Sequence, residues 1–479
     1  MARIGVVKVR MPHDVQWHTG WAMRQILRLP GLGEYRRKLG DLEGKPFMPQ
    51  LTLTYLAGMG LEICARRGWK HTFEVVDDRL EYISVEGFDM LWMTVSTPNA
   101  FASYAVADRA LALGIPVVLG GVHPSLMSDE ASRHCTSLVI GEAEPVLAQV
   151  LEDFEAKRLQ PIYRGRPVAE LRDLARPRWD LMPPDYYRWI VPVQTSRGCR
   201  NACTFCSTTR MQGSRRRHRP VADVVEEIRW LQARGFLTRD KIVFFTDNNI
   251  AYDDREGGTA YARQLFAALR PLGIRWAGQG EIGIADDPGL VRLAVESGCQ
   301  TLLVGFESLS QGNLDGVNKA RCRVECYERN IRQLHRFGIS IIGCFVFGFD
   351  DDGPEVFEET YRFVQRYIDI PQLSLLTPFP GTGLYKQMLR SGRLLHRDWS
   401  KYDITHLTFR PARMTPREAE EGYARLTGRI FSIGAMLDRA LRSGSRAATA
   451  GYLEMTLGAR FASVLAPNLI YKQLSLIGR

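Results

Sequence analysis

The chain reads as α/β: two successive parallel-sheet units followed by a helical C-terminal region. Three observations predict this. Short apolar runs alternate with amphipathic segments from residue 4 to residue 376, the pattern of strand–helix units with parallel strands. Pro and Gly punctuate the helical segments at their starts and ends. A Pro- and Arg-rich stretch at 159–190, with Pro161, Pro167, Pro177, Pro183 and Pro184, reads as a linker. The expected organisation is a doubly wound, Rossmann-like unit at 1–158, the linker at 159–190, six strand–helix units at 191–400 and a helical region at 401–479.

In the first unit, residues 4–9 form an apolar strand and 11–48 an irregular, basic insert containing Trp17, His18 and Trp21. Residues 51–66 are helical and 72–76 extended. A buried strand at 90–95 ends at Ser96-Thr97-Pro98, and a helix at 100–113 closes on Gly114. A strand at 116–119 runs into Gly120-Gly121-Val122-His123-Pro124; a short strand at 138–140 ends at Gly141-Glu142, before a helix at 145–154. Ligands of such sheets sit outside the carboxyl ends of the strands, so Ser96, Thr97, Gly120 and Gly121 are candidate binding positions.

The second unit opens with a strand at 191–195 that leads into a cysteine-rich loop. Helices at 224–234, 260–269, 288–296, 326–337 and 354–367 alternate with strands at 242–246, 274–279, 301–306, 339–347 and 372–376. Six such units make an open sheet or a partial barrel, whose sites lie on the loops after the strands. Thr415-Pro416-Arg417-Glu418 signals a capped helix start.

Of the 479 residues, 45% are apolar and 24% charged, which excludes a disordered or collagen-like chain. No apolar run reaches a membrane span, and the N-terminus, with Lys8, Arg10 and Asp14 after its first strand, lacks a signal-peptide core. A cytoplasmic enzyme is expected. The net charge of +10 is spread along the chain except at 215–219, Arg-Arg-Arg-His-Arg, which reads as a solvated face or as a contact to an anionic substrate. No nucleic-acid module with interleaved aromatics accompanies it. The tail at 452–479 mixes apolar and basic residues, and packing on its own protein is favoured over a membrane surface.

Nine cysteines, an odd number, do not suggest a disulfide framework. Three crowd into Cys199-Arg-Asn-Ala-Cys203-Thr-Phe-Cys206, on one short loop after the second unit's first strand. Structural zinc wants four ligands, and His218 is the only nearby candidate for a fourth. A [4Fe–4S] cubane normally takes four thiolates; three leave one iron open to a substrate or cofactor.

This Cys-x3-Cys-x-aromatic-Cys loop, in that position, resembles the radical S-adenosylmethionine (SAM) superfamily. The resemblance implies that Cys199, Cys203 and Cys206 hold a [4Fe–4S] cluster, and that SAM chelates the open iron and is cleaved to a 5′-deoxyadenosyl radical. It places Phe205, Asp247, Asn248, Glu281 and Glu307 around SAM, through Thr246-Asp247-Asn248-Asn249 and Gly305-Phe306-Glu307-Ser308 at strand ends. Capping a helix or pairing with Arg is the alternative for Asp247 and Glu307. Gly348-Phe349-Asp350 and Thr377-Pro378-Phe379-Pro380-Gly381-Thr382 fit the same branch. The first unit is similar to the cobalamin-binding domain preceding the barrel in that branch. Ser96, Thr97, Gly120, Gly121, His123 and Glu142 are then the cobalamin positions, with His123 a loop residue and not a cobalt ligand. The Asp-x-His-x-x-Gly segment that supplies an axial histidine elsewhere is absent, as is often so in this branch.

The activity so implied is methylation of an unactivated carbon of a small-molecule substrate, with [4Fe–4S] cluster, SAM and cobalamin as cofactors and a flavodoxin- or ferredoxin-type electron donor. Two alternatives stand beside it: a cyclase or oxidoreductase using the same cofactors, and a non-enzymatic, metal-stabilised binding protein. No residue is singled out as the general acid, base or hydrogen donor.

Overall fold

The computed structural model describes residues 1–10, 49–78, 83–172, 174–187, 189–251, 258–432, 434–435 and 438–439. The basic insert expected at 11–48 and the apolar and basic tail at 452–479 lie outside the described residues.

The first sheet contains β1 (Arg3–Lys8), β2 (Thr72–Asp77), β3 (Met90–Thr94), β4 (Val117–Gly120), β5 (Ser137–Gly141) and β6 (Ile162–Gly165), all parallel, in the order β2-β1-β3-β4-β5-β6. Near-continuous burial along β1 and β3 follows from helices covering both faces. The order reverses at β1, so the ligand crevice of this topology opens outside the carboxyl ends of β1 and β3. Asn99 bridges the two ends, its Nδ2 donating to the Val9 carbonyl at 2.6 Å.

The sixth strand falls inside the stretch expected to be a linker. Tyr163 anchors it: the ring is buried and the hydroxyl donates to Asp153 Oδ2 at 2.9 Å. Further along, Trp179, Tyr186 and Tyr187 are buried in the main hydrophobic core. Regular backbone there is limited to two short 3₁₀ helices, Trp179–Leu181 and Pro184–Tyr187, but the aromatics still pack, so this stretch is not a free tether.

The second sheet begins with β7 (Ile190–Val193). A two-residue antiparallel ladder, β8 (Ser196–Arg197) against β9 (Arg217–His218), closes the base of the cysteine loop. The sheet continues with β10 (Ile242–Phe245), β11 (Trp276–Gly280), β12 (Cys299–Glu307), β13 (Ser340–Phe347) and β14 (Ile370–Leu375). All pairings are parallel and the spatial order follows the chain, β7-β10-β11-β12-β13-β14, as in a barrel wall left open between first and last strand. Burial alternates along β12 and β13. Phe306 and Phe345 bury against Tyr327 and Phe363 of the outer helices. Leu303, Glu307, Ile342, Cys344 and Val346, on the other face, are only half-buried, so the inner wall borders accessible space.

The capping signal at Thr415 is realised. Thr415 Oγ1 accepts from the Glu418 N–H at 3.2 Å, and the Pro416–Ile430 helix packs on the Val356–Tyr367 helix. Among the described residues no helix is long and apolar enough to cross a membrane.

Candidate active site

Cys199, Cys203 and Cys206 are half-buried on the loop between β8 and β9, and no disulfide links any of the nine cysteines. Backbone bonds pin the loop. The Thr204 N–H donates to the Val317 carbonyl at 3.1 Å, and the Thr204 carbonyl accepts from Leu384 N–H at 2.9 Å. Gly198 enters the loop at φ +93°, where a Cβ would lie 2.2 Å from the Arg215 carbonyl oxygen, so glycine is required. Ala202 also has a positive φ of 49°, strain of the kind found at binding loops. Burial pushes the Cys203 thiol up to about 12 against the pull of the Lys319 ammonium, and the Cys206 and Cys199 thiols act in the same direction as burial. Among the described residues no three His, Cys, Asp or Glu side chains converge closely enough to hold one metal ion. A cubane gives each thiolate its own iron and needs no such convergence. His218, the candidate fourth zinc ligand, lies tilted against Tyr261 with 4.0 Å between ring centroids.

Several residues expected near SAM do gather around this loop. Glu281 Oε1 accepts from Asn201 Nδ2 at 2.5 Å, two residues from Cys199. Asn201 Oδ1 is buried with no hydrogen-bond partner among the described residues, an acceptor that a ligand ammonium or hydroxyl would satisfy. Asn248 braces the loop: its Nδ2 donates to Gln212 Oε1 at 2.9 Å, and the same oxygen accepts from Gly198 N–H at 3.1 Å. Phe205 packs edge-on against Phe349, 6.3 Å between centroids. Glu307 has left-handed backbone, φ +61°, where the β12–β13 register shifts. Its carboxylate meets Lys319 Nζ at 2.5 Å, and that ammonium also donates to the Gly305 carbonyl at 2.8 Å. A Cβ on Gly305 would lie 2.4 Å from Glu307 Oε1, so the glycine makes room for the pair. The alternative of an arginine partner is replaced by this lysine, which no local pattern around Asn318-Lys319 marks.

Asp247 is held by its own chain. It is fully buried and accepts from Thr195 N–H at 3.0 Å, from Thr195 Oγ1 at 2.7 Å and from Ser196 Oγ. It therefore ties the end of β10 to the exit of β7, and its oxygens are used there.

In the first unit, Ser96 places its N–H and hydroxyl on Asn99 Oδ1 at 2.8 and 3.0 Å. Thr97 is buried, with Oγ1 3.3 Å from His123 Nδ1. Gly120 is half-buried, and a Cβ there would touch only Val139, at 3.6 Å, which leaves its other side open. Gly121 is demanded by the chain itself: φ is +101°, and a Cβ would lie 2.7 Å from the Val95 carbonyl oxygen. His123 is buried, with Nε2 3.2 Å from Glu130 Oε1, a carboxylate that also accepts from Trp399 Nε1 at 3.0 Å. Burial lowers the His123 pKa. Both ring nitrogens are thus engaged within the protein.

Glu142 is engaged within the protein. Its carboxylate accepts two bonds from Arg217, at 2.6 and 2.9 Å, and a third from Val168 N–H at 2.8 Å. Apart from Arg215, which is exposed, the arginine run is accordingly no solvated face. Arg216 and Arg217 are buried, and Arg219 pairs with Glu227 at 2.6 Å.

The carboxyl ends of the two sheets meet across one segment. Gly381, after β14, lies against Leu126, where a Cβ would approach Leu126 Cδ2 to 2.8 Å. Three residues on, Leu384 bonds to the cysteine loop. A partial barrel carrying three thiols on its first loop, faced by a doubly wound sheet, defines the class: a cysteine-loop barrel protein with a second, Rossmann-like unit.

Comparison with known proteins agrees with that class. Residues 193–364 match the Radical SAM superfamily. Bacteriochlorophyllide d C-12(1)-methyltransferase of Chlorobaculum tepidum is 34% identical over 366 residues, covering 74% of this chain and 77% of that protein. The structure of the radical SAM methyltransferase TsrM from Kitasatospora setae, with cobalamin and a [4Fe–4S] cluster, superposes with a TM-score of 0.61 at 18% identity, covering 82% of this chain and 78% of that one. The cobalamin-dependent SAM radical enzyme OxsB superposes with a TM-score of 0.66 at 12% identity, covering 98% of this chain and 73% of that one. The chain belongs to the radical SAM superfamily, and it groups there with methyltransferases. It is an enzyme, and the cofactors of its superfamily are the [4Fe–4S] cluster and SAM.

Proposed function

We propose that this enzyme methylates an unactivated carbon of a tetrapyrrole of the bacteriochlorophyllide kind, with cobalamin held by the first sheet. The carrying observation is the meeting of strand ends: the cysteine loop, through Thr204, and Leu126, in the short helix after the Gly120–Gly121 turn, contact the same segment after β14. The relative acting on bacteriochlorophyllide d supports the substrate class. When bound, cluster and SAM supply hydrogen-atom abstraction, and cobalamin supplies a transferable methyl group.

The chain's own residues bind and orient. Cys199, Cys203 and Cys206 are the cluster ligands. Glu281 and the Glu307–Lys319 pair offer charge, and Asn201 an acceptor oxygen, complementary to a zwitterionic amino acid moiety. Ser96, Thr97 and Gly120 border the cobalamin crevice, with Gly120 leaving room against the sheet. Leu303, Ile342 and Val346 give the inner barrel wall an apolar lining suited to a flat, apolar ring. A flavodoxin- or ferredoxin-type protein delivers the electron, in the reducing cytoplasm where thiols of this kind persist.

The test is to supply reconstituted enzyme with SAM, cobalamin, a reductant and a bacteriochlorophyllide acceptor. Formation of both 5′-deoxyadenosine and S-adenosylhomocysteine is expected. Deoxyadenosine without S-adenosylhomocysteine would instead establish ring formation or oxidation. Cys203→Ala abolishes the iron chromophore and SAM cleavage together; cleavage that survives the substitution overturns the cluster assignment.

A further inference from the structure

Arg197 and Arg217 face each other as cross-strand partners in the β8–β9 ladder. Like charges directly opposite destabilise a strand pair. This ladder closes the loop that carries the three cysteines, so its stability governs where they sit. The compensating charges come from the other unit. Glu142, after β5, holds Arg217 at 2.6 Å and lies 3.6 Å from Arg197 Nη1. Glu144 accepts from Arg197 Nη1 at 2.5 Å and from the Tyr55 hydroxyl at 2.9 Å. The side chains of Arg197, Arg217, Glu142 and Glu144 are 10%, 5%, 7% and 13% exposed, so solvent screens them little. A charge this buried is costly once its partner is removed. The base of the cysteine loop is thus electrostatically complete only when the first sheet is docked on it.

We propose that Glu142 and Glu144 are positioning residues. They neutralise the two arginines, fix the cysteine loop against the cofactor-binding sheet, and so couple SAM cleavage at the barrel to methyl delivery at the first unit. The catalytic half of this inference rests on the proposed cobalamin reading; the structural half does not.

The experiment uses the full chain with cluster and cobalamin loaded, in Glu142→Gln, Arg217→Gln and the double variant, with Glu358→Gln as a surface-pair control. Hydrogen exchange is followed in peptides covering 198–216. About tenfold faster exchange is expected in either single variant, with peptides over β12 unchanged and the double variant no worse than the worse single one. With SAM and a chemical reductant, iron content is unchanged and the ratio of 5′-deoxyadenosine to S-adenosylhomocysteine rises about fivefold. Exchange within about twofold of the parent, or additive effects in the double variant, overturns the clamp. An unchanged product ratio overturns the coupling. Should Glu142→Gln lose its iron, Glu144→Gln, which keeps the Arg217 pair, is read by the same measurements. If the parent forms deoxyadenosine but never S-adenosylhomocysteine, the cobalamin reading fails and the exchange result alone decides the clamp.

Discussion

Lys319 is a buried ammonium, 8% exposed, held by the Glu307 carboxylate beside the cysteine loop. Removing one member of such a pair leaves an uncompensated charge. Lys319→Met therefore destabilises the protein by about 3–5 kcal/mol, and adding Glu307→Leu recovers much of that loss, as read by chemical denaturation. A double variant no more stable than Lys319→Met would show that the pair is not the cause. A second residue carries a pH signature. Burial raises the Asp352 carboxyl from 3.8 to about 6, against bonds from Gly348 N–H, Phe349 N–H and Asn313 Nδ2 at 2.9, 3.0 and 2.7 Å. Between those two values the folded chain keeps a proton that the unfolded chain has released. Stability then falls as pH rises from about 4 to about 6, by up to about 1.4 kcal/mol per pH unit. Asp352→Asn flattens that slope, and an unaltered slope would assign it to other groups.

At the scale of elements, what was legible in the sequence was what is local. The cysteine spacing, the strand–helix alternation and the Thr415 cap each depend on neighbours a few residues away. Glu142 and Asp247 stand at strand ends, as the sequence suggests, but their protein partners are distant in the chain. Arg217 is 75 residues from Glu142, and Thr195 is 52 from Asp247, so nothing nearby shows where those carboxylates turn. The adjacent glycines make the same point. Gly121 is needed by backbone geometry, whereas Gly120 has room on its protein side and is free to face a ligand. Gly121→Ala should destabilise by about 1–3 kcal/mol or more, from strain at positive φ and the close Val95 carbonyl. Gly120→Ala leaves thermal stability unchanged and weakens cobalamin binding, measured by titrating the corrin absorption. Tight binding by Gly120→Ala would remove β4 from the crevice.

For the whole molecule, the question is whether two sheets make one folding unit. A Pro-rich connection suggests independence, yet this one is built into both sides. The Tyr186 hydroxyl donates to Asp77 Oδ2 at 2.8 Å, at the end of β2. Tyr187 packs edge-on against Trp179 at 5.1 Å and against Phe236, beyond the first barrel helix, at 5.9 Å. The Arg178 N–H donates to the Thr54 carbonyl at 2.9 Å in the first unit's helix. A single hydrophobic core consequently runs from Ile4 and Trp92 through Trp179 to Val193 and Phe306. Trp179 is wholly buried, so Trp179→Ala should cost about 3–5 kcal/mol in lost burial and an unfilled cavity. Because that cavity opens where the two sheets share their core, scanning calorimetry should show one unfolding transition in the parent, and the variant should lower it as a whole. Two transitions, of which only one moves, would mean that the sheets fold separately and that their alignment over the cysteine loop depends on the polar contacts between them, the charge clamp among them.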